Sequence, residues 1–325
     1  VAFTDLGENS HISNNTFVTP SGNEEIPYNK VNSLYQRLLT ELPAARDISQ
    51  VNQVLQGAGL ENGSDYEKIE NARKLNTSEY SFNAQLGYIS LRNELQPDEV
   101  LAVAYSYSYR GQDYQVGEFS ADNPSNSKEN LYLKLLKGTA NSPSAATWRL
   151  MMKNFYTISR TSLEKENFRL DIKYQNDTTG AYLNYITEGN IANKMLLRVA
   201  RLDRLDARNE PYPDGRFDFV EGLTVFSQYG RIAFPVVEPF GSHLRIEIGD
   251  DAIADKYVFQ ELYDSTLTVA KQTAEKNKFI FTGEYEGGSG GNSNINLDGF
   301  NVARGSVTVT ANGVRLKENV DYTVD

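Results

Sequence analysis

Gly230 divides the most sharply patterned stretch of this chain, GRFDFVEGLTVFSQYGRIAFPVVEPFGSH, which runs from Gly215 to His243. The stretch opens on a turn signal, Pro213-Asp214-Gly215. Leu223, Val225 and Phe226 precede the central glycine, and Ile232, Phe234, Val236 and Val237 follow it. Glycine takes a positive φ at no steric cost, so the pattern predicts a strand–turn–strand hairpin about Gly230. Nothing in the stretch is chemically reactive, but the pattern recurs. Laying YSFNAQLGYISL (80–91) on LTVFSQYGRIAF (223–234) pairs Phe82 with Val225, Gln85 with Gln228, Gly87 with Gly230 and Ile89 with Ile232. Further on, FRLDIKY (168–174) matches FIFTGEY (279–285) in its Phe and Tyr positions, and the closing DYTVD places Tyr322 beside Tyr80 as the start of a third copy. Two copies and a fragment predict tandem modules.

Around these hairpins the periodicity changes along the chain. Val31, Leu34, Tyr35, Leu38, Leu39 and Leu42 fall at helical spacing up to Pro43. A second helix is expected from Asp47 to Gly57, and a third over Tyr66–Leu75 with Ile69 and Ala72 inward. VLAVAYSYSYRGQDYQVGEFS predicts a hairpin turning at Arg110-Gly111-Gln112. Leu131–Leu136 is ambiguous between helix and strand. Ala145–Asn154 reads as helix, FRLDIKY, AYLNYI and KMLLRVARL as strands, and Ala254–Asn277 as two helices with Tyr257, Val258, Leu262, Leu267 and Ala270 buried. Phe279–Tyr285 is a strand, GGSGGNSN (287–294) a loop or short linker, and Asn312-Gly313 the turn of a last hairpin.

The expected fold class is therefore α+β: β-rich tandem modules of antiparallel hairpins and sheets with packed helices, not a membrane barrel in itself. The expected divisions are a helical region at 1–78, a first module at 79–190, a second at 191–300 and a truncated third repeat at 301–325. At 325 residues the chain is long enough for such a division. Its 20 Tyr and 15 Phe against a single Trp favour half-exposed β faces. The chain begins at Val1 without a charged-then-apolar leader and ends in a strand-like segment, as a piece of a larger protein would.

Charge and composition close several routes. A net charge of −11 with no basic stripe argues against nucleic acid and against an anionic membrane surface. No window approaches the length of a membrane-spanning helix. With no cysteine there are no disulfides and no thiolate metal sites. The 2 histidines, His11 and His243, sit in no metal or catalytic motif, and Ser125 with Lys128 match SxxK by letters in a polar loop without partner motifs. Carboxylates are plentiful enough for a glycosidase pair, but the Trp platforms of sugar clefts are missing.

Three features remain as candidate sites. Asp203, Asp206, Asn209 and Asp214 form an oxygen-rich cluster beside Arg201, Arg204 and Arg208; it reads as a salt-bridged turn, with a calcium site as the alternative. Tyr105, Tyr107 and Tyr109 alternate along one strand face, which is either a half-buried sheet surface or a stacking platform for sugars. Asp177-Thr178-Thr179 and Asp264-Ser265-Thr266 resemble the O-glycosylation sites of Bacteroidetes envelope proteins.

The segments RLDARNEPYPDGRFDFVEGLTVFSQYGRIAFPVVEPFGSHL, ARKLNTSEYSFNAQLGYISL, DEVLAVAYSYSYRGQDYQVGEFS, LYLKLLKGT with WRLMMKNFY, and ARGSVTVTANGVRLKENVDYTVD resemble the SprA/Sov family of Bacteroidetes, over roughly residues 72 to 325. That resemblance implies a very large outer-membrane protein, the translocation channel of the type IX secretion system, needed for gliding motility in some species. Its barrel is among the largest formed by one chain. The present chain would be a non-barrel part, periplasmic or in the extracellular cap, with no transmembrane segment. It would act as a scaffold or gate without catalysis or cofactor, and its partners would be the rest of the barrel, accessory secretion-system subunits and secreted cargo. A cell-surface module that binds glycan or protein ligands is the alternative.

Overall fold

The structure is a computed structural model that describes residues 1–9, 12, 14–22, 26–93, 95–121, 129–140, 142–159, 161–206, 208–286, 307–311 and 314–315. Along the chain run β1 (Ala2–Phe3), α1 (Leu34–Thr40), α2 (Val51–Gly57), β2 (Tyr66–Glu67), β3 (Tyr80–Asn83), β4 (Tyr88–Leu91), β5 (Leu101–Val103), β6 (Tyr105–Tyr109), β7 (Gln112–Val116) and β8 (Leu133–Lys137). There follow β9 (Phe155–Thr157), β10 (Arg169–Gln175), β11 (Tyr182–Leu183), α3 (Leu196–Val199), β12 (Val225–Phe226) and β13 (Arg231–Ala233). The remainder is α4 (Ser242–Ile248), α5 (Asp251–Tyr257), α6 (Glu261–Asp264), α7 (Leu267–Gln272), β14 (Phe279–Glu284), β15 (Thr310–Ala311) and β16 (Val314–Arg315). The class is α+β: small, mostly antiparallel sheets with short helices, and no closed barrel among the described residues.

The chain clusters into two compact units, each assembled from separated stretches. One comprises Val1–Asn154, Ile186–Lys194 and Val236–Phe279; the other comprises Phe155–Tyr185, Met195–Pro235 and the residues from Ile280. The expected divisions at 78/79 and 190/191 do not coincide with these borders, and 300/301 lies outside the described residues. The reason for the first discrepancy is visible in the sheet of the first unit. β1 lies between β2 and β8, antiparallel to the former and parallel to the latter, so the first residues of the chain are woven into a sheet that also holds β5.

The core of the first unit fills the space between that sheet and the first two helices. Phe3, Leu34, Leu38, Val51, Leu55, Leu60, Tyr66 and Tyr132 are all buried there. α2 ends in a Schellman motif. Gly59 takes φ 85°, the Leu60 amide donates to the Leu55 carbonyl, the Gly59 amide donates to the Gln56 carbonyl, and Leu60 packs beneath the helix end.

One ionic node fastens the helices to β8. The Arg46 guanidinium makes a bidentate pair with Glu118 at 2.6 Å on both arms and lies 3.9 Å over the Tyr132 ring. Tyr35 donates its hydroxyl to Glu118 at 2.9 Å, and the Tyr132 amide donates to the same carboxylate at 2.9 Å. Burial pushes the Glu118 carboxyl up, but these hydrogen bonds outweigh it and hold the group below the usual carboxylate range. Burial, and then the bond to Glu118, push Tyr35 up to about 12. The Tyr132 hydroxyl, by contrast, is buried with no hydrogen-bond partner among the described residues.

The second unit holds two three-stranded sheets, β12-β13-β9 and β11-β10-β14. Tyr156 on β9 meets the rings of Phe234 at 5.2 Å and Phe281 on β14 at 5.6 Å, so an aromatic cluster joins the sheets. The segments 168–174 and 279–285, which match in sequence, are neighbours in one sheet. The paired hairpins agree in register: Phe82 faces Ile89 across β3–β4, and Val225 faces Ile232 across β12–β13. Gly87 and Gly230 both adopt left-handed backbone, at φ 69° and 60°.

Several local expectations fail, each for a physical reason. Tyr66–Leu75 is not a helix: Tyr66 is fully buried as part of β2, and the residues beyond it are mostly exposed, leaving no apolar stripe to pack. Ala145–Asn154 is a short 3-10 turn, Ala146–Leu150, followed by exposed Met151 and Met152. KMLLRVARL is not a strand; it contains α3, whose end is closed by a Schellman pair with Arg201 at φ 59°. Leu262 and Leu267 are exposed where burial was expected, at 40% and 70%, while Tyr257, Val258 and Ala270 are buried. α4 lies at the end of the opening stretch, where no helix was expected. Leu131–Leu136 resolves into β8, and β15 pairs with β16 across 312–313. The 287–294 linker, the Asn312-Gly313 turn itself and the truncated repeat at 321–325 lie outside the described residues.

Two predictions follow from the glycine and tyrosine geometry. A Cβ at Gly230 would sit inside the contact distance of the Ser159 carbonyl and 2.8 Å from that of Thr161, whereas at Gly87 it would meet nothing within 4 Å. Gly87→Ala should cost only the left-handed strain, about 1 kcal/mol, and Gly230→Ala about 3 kcal/mol once overpacking is added; equal losses in urea unfolding would contradict this. Removing the bond to an ionised partner, Tyr35→Phe should lose about 1.5 kcal/mol, while Tyr132→Phe, which deletes an unpaired buried hydroxyl, should be neutral or stabilising by up to about 1 kcal/mol.

Candidate functional site

A polar groove of about 720 Å³ lies in the first unit. Its walls are the 59–65 turn, the loop at 14–16, the end of β8 and the 142–147 segment. Local hydrogen bonding explains why these loops hold their shape. The buried Asp65 carboxylate accepts from the Glu61 amide at 2.8 Å and from Asn15 Nδ2 at 2.9 Å, and Asn15 also donates to the Gly59 carbonyl. Thr4 donates its hydroxyl to the Ser64 carbonyl at 2.7 Å. Across the groove the Ser142 and Ser144 hydroxyls share a hydrogen bond at 2.8 Å. The lining thus includes the Asp65 carboxylate, already committed to amide donors, together with Ser64, Ser142, Ser144 and Thr147. Among the described residues that line it there is no His, Lys or Arg. Such a lining offers hydrogen-bond donors and acceptors to a neutral polar chain, a peptide backbone or a saccharide. No sequence motif marks it, because its polar atoms come from four separate loops.

The tyrosine face is present but largely occupied. Tyr105, Tyr107 and Tyr109 share one face of the β6–β7 hairpin, whose turn places Arg110 and Gly111 at φ 51° and 78° as a type I′ turn requires. Tyr107 stacks on Tyr105 at 6.1 Å and on Tyr114 at 5.5 Å, and Tyr28 covers Tyr114 edge-on at 5.5 Å. Tyr107 donates its hydroxyl to the Pro27 carbonyl at 2.6 Å, and burial pushes Tyr105 up to about 12. These rings spend their faces on each other, and Tyr109 is the exposed one, at 44%.

Asp203, Asp206, Asn209 and Asp214 do come together, in the second unit, as a knot of turns. Asp203 is buried, with one oxygen accepting from the Asp214 and Gly215 amides at 2.9 and 3.1 Å and the other from Arg198 at 3.2 Å. Asp206 accepts from the Arg208 and Glu210 amides, and Asp214 from the Arg216 amide. Asn209 supplies the left-handed corner at φ 61°. Asp218, which sequence reading passed over, closes the knot by accepting from the Arg204 and Leu205 amides. Burial, opposed by these amides and reinforced by Asp203 and Asp214, raises its carboxyl above the usual range. These N–H donors occupy carboxylate lone pairs, as a turn closed by its own amides and an ion pair would have them. Arg198 pairs with Asp203 at 3.2 Å.

The other candidates scatter. His243 lies on α4 with Nε2 3.9 Å from Glu247. Lys153 is enclosed with Glu238 at 2.9 Å, and Gln260 donates to the same carboxylate, so the pair anchors α6. Thr178 and Thr179 are exposed at a turn; Thr266 caps α7 by accepting from the Val269 amide. His11, Ser125 and Lys128 lie outside the described residues. No protein-family model matches the chain, and no curated protein matches it.

The knot at Asp203 gives a direct test of cation binding. A site occupied at about a hundredfold excess over its dissociation constant would add about 2.7 kcal/mol. We expect millimolar calcium or EDTA to leave the melting temperature unchanged, and Asp203→Ala to lower it; a calcium-dependent rise lost in Asp203→Ala would establish the cation site instead.

Proposed function

We propose that the chain is a non-catalytic portion of a very large outer-membrane protein-translocation channel of the type IX secretion kind, lying on the periplasmic or extracellular side of the pore. There it shapes, plugs or caps the channel and contacts the barrel, accessory subunits and passing cargo. The observation that carries this reading is the resemblance of long segments to the SprA/Sov family, above all RLDARNEPYPDGRFDFVEGLTVFSQYGRIAFPVVEPFGSHL. The structural features in its favour are of a supporting kind. Small sheets and short helices are pinned by internal ion pairs such as Arg46–Glu118 and Lys153–Glu238, which suits a part that must keep its shape while chains move past it. The polar groove is lined by Ser and Thr residues and by the amide-bound carboxylate of Asp65, a lining that fits peptide backbone. No helix among the described residues is long and apolar enough to cross a membrane. The charge of −11 disfavours nucleic acid as a partner.

Deleting residues 72–325 from the full-length protein, with barrel assembly checked separately, tests this role. The expected result is an assembled barrel that fails to secrete cargo or leaks at rest. Normal secretion through a pore that still seals would overturn the proposal.

A further inference from the structure

The two matched hairpins differ in one respect. In the second unit β13 is the middle strand of its sheet: β9 pairs antiparallel with its outer edge, with Ile232 opposite Tyr156 and Ala233 opposite Phe155. The equivalent strand, β4, belongs to a sheet that contains only β3 and β4 among the described residues. The faces differ accordingly. Val225, Ile232 and Phe234 are buried, at 0%, 0% and 1%, whereas Phe82, the counterpart of Val225, is 61% exposed, and Ile89 and Leu91 are half-buried.

The turn glycines report the same difference. Gly230 accepts the Ile158 and Ser159 amides at 2.9 and 3.1 Å, and its Cβ position is filled by the Ser159 and Thr161 carbonyls, the continuation of β9. Around Gly87 that space is open. An isolated two-stranded hairpin is marginal in water. Edge strands that must stay single are ordinarily guarded by charge, proline or a bulge. YSFNAQLGYISL carries no charged residue and no proline, and its register is unbroken from Tyr80–Leu91 to Asn83–Tyr88.

We propose that the outer edge of β4 is a strand-acceptor site. Its occupant is an uncharged, extended segment of a partner polypeptide, bound antiparallel with an aromatic side chain opposite Ile89, as Tyr156 stands opposite Ile232. Main-chain hydrogen bonds to the edge supply the affinity, the apolar face around Phe82 and Ile89 selects the aromatic side chain, and the open space at Gly87 admits the backbone that follows it. This rests on the internal duplication and is independent of the translocon reading.

The chain itself supplies the probe. A fluorescent peptide of residues 154–159, NFYTIS, is titrated into the full chain and followed by anisotropy. Saturable binding is expected, weakened at least about tenfold by Phe82→Asp and by Gly87→Asn, a residue that tolerates left-handed backbone and so leaves the hairpin folded. Replacing Phe155 and Thr157 of the peptide by proline should abolish binding without touching the protein. Failure to saturate at millimolar peptide overturns the proposal, and so does equal binding by the Phe82→Asp and Gly87→Asn chains, which would place the peptide elsewhere. Sedimentation of the unmodified chain covers the remaining occupant: a dimer that Phe82→Asp dissociates would assign the edge to a second copy and overturn the partner segment.

Discussion

Glu118 is the carboxylate on which the first unit closes. It stands just beyond β7, receives Arg46 from the turn after α1, Tyr35 from α1 itself and the amide of Tyr132 at the entrance to β8. A charge in that position is costly unless each lone pair is used, and here Arg46, Tyr35 and a main-chain amide use them. The Arg46 side chain also lies over the Tyr132 ring, which meets Phe3 of β1 at 5.6 Å. Helices, sheet and the N-terminal strand therefore meet at one node, which ties together parts of the chain more than 80 residues apart in sequence. The ion pairs Arg37–Glu41 and Arg245–Asp255 are more exposed and contribute little by comparison.

The duplicated hairpins separate what local sequence controls from what it does not. Strand pairing, register and the left-handed glycine agree in both copies because they depend on turn chemistry and on alternation within a few residues. Burial does not agree, because it depends on what arrives from elsewhere. β9 and the aromatic cluster of Tyr156, Phe234 and Phe281 cover the second copy. Nothing in LTVFSQYGRIAF as compared with YSFNAQLGYISL announces that cover, apart from the replacement of Phe82 by the smaller Val225.

The same division explains how much of the fold was legible. Hairpins with a glycine or an Arg110-Gly111 turn were readable, as were α1 and α2, whose apolar residues keep helical spacing. α3 was not, because Leu196, Leu197 and Val199 are all buried and a continuous apolar run has no period to read. Its stop signal was also disguised, since Arg201 holds the left-handed position that glycine usually takes. Tyr66 misled in the opposite direction: a residue at helical spacing from Ile69 that was recruited to β2 by its pairing with Phe3. The candidate sites fared according to whether their partners were local. The Tyr105–Tyr109 stripe was visible, but Tyr28 and Tyr114 packing on it was not, and the polar groove was invisible because separate loops build it.

Acidic residues show why composition misdirects in a chain of this kind. Short elements leave many backbone N–H groups outside any ladder, and each one removed from water needs an acceptor. The carboxylates supply them repeatedly: Asp47 to Ser49, Asp65 to Glu61, Glu67 to Thr139, Glu79 to Asn76, Glu99 to Gln96, Asp218 to Arg204 and Leu205, Asp250 to Ile253. An Asp-rich turn that caps its own amides and an Asp-rich turn that binds a cation look alike in sequence, because both need oxygens at short spacing beside flexible corners such as Asn209 and Gly215. What separates them is the direction of the lone pairs, and at Asp203 amides and a guanidinium take them from both sides. The negative charge of the chain is thus in part the chemistry by which its loops are folded.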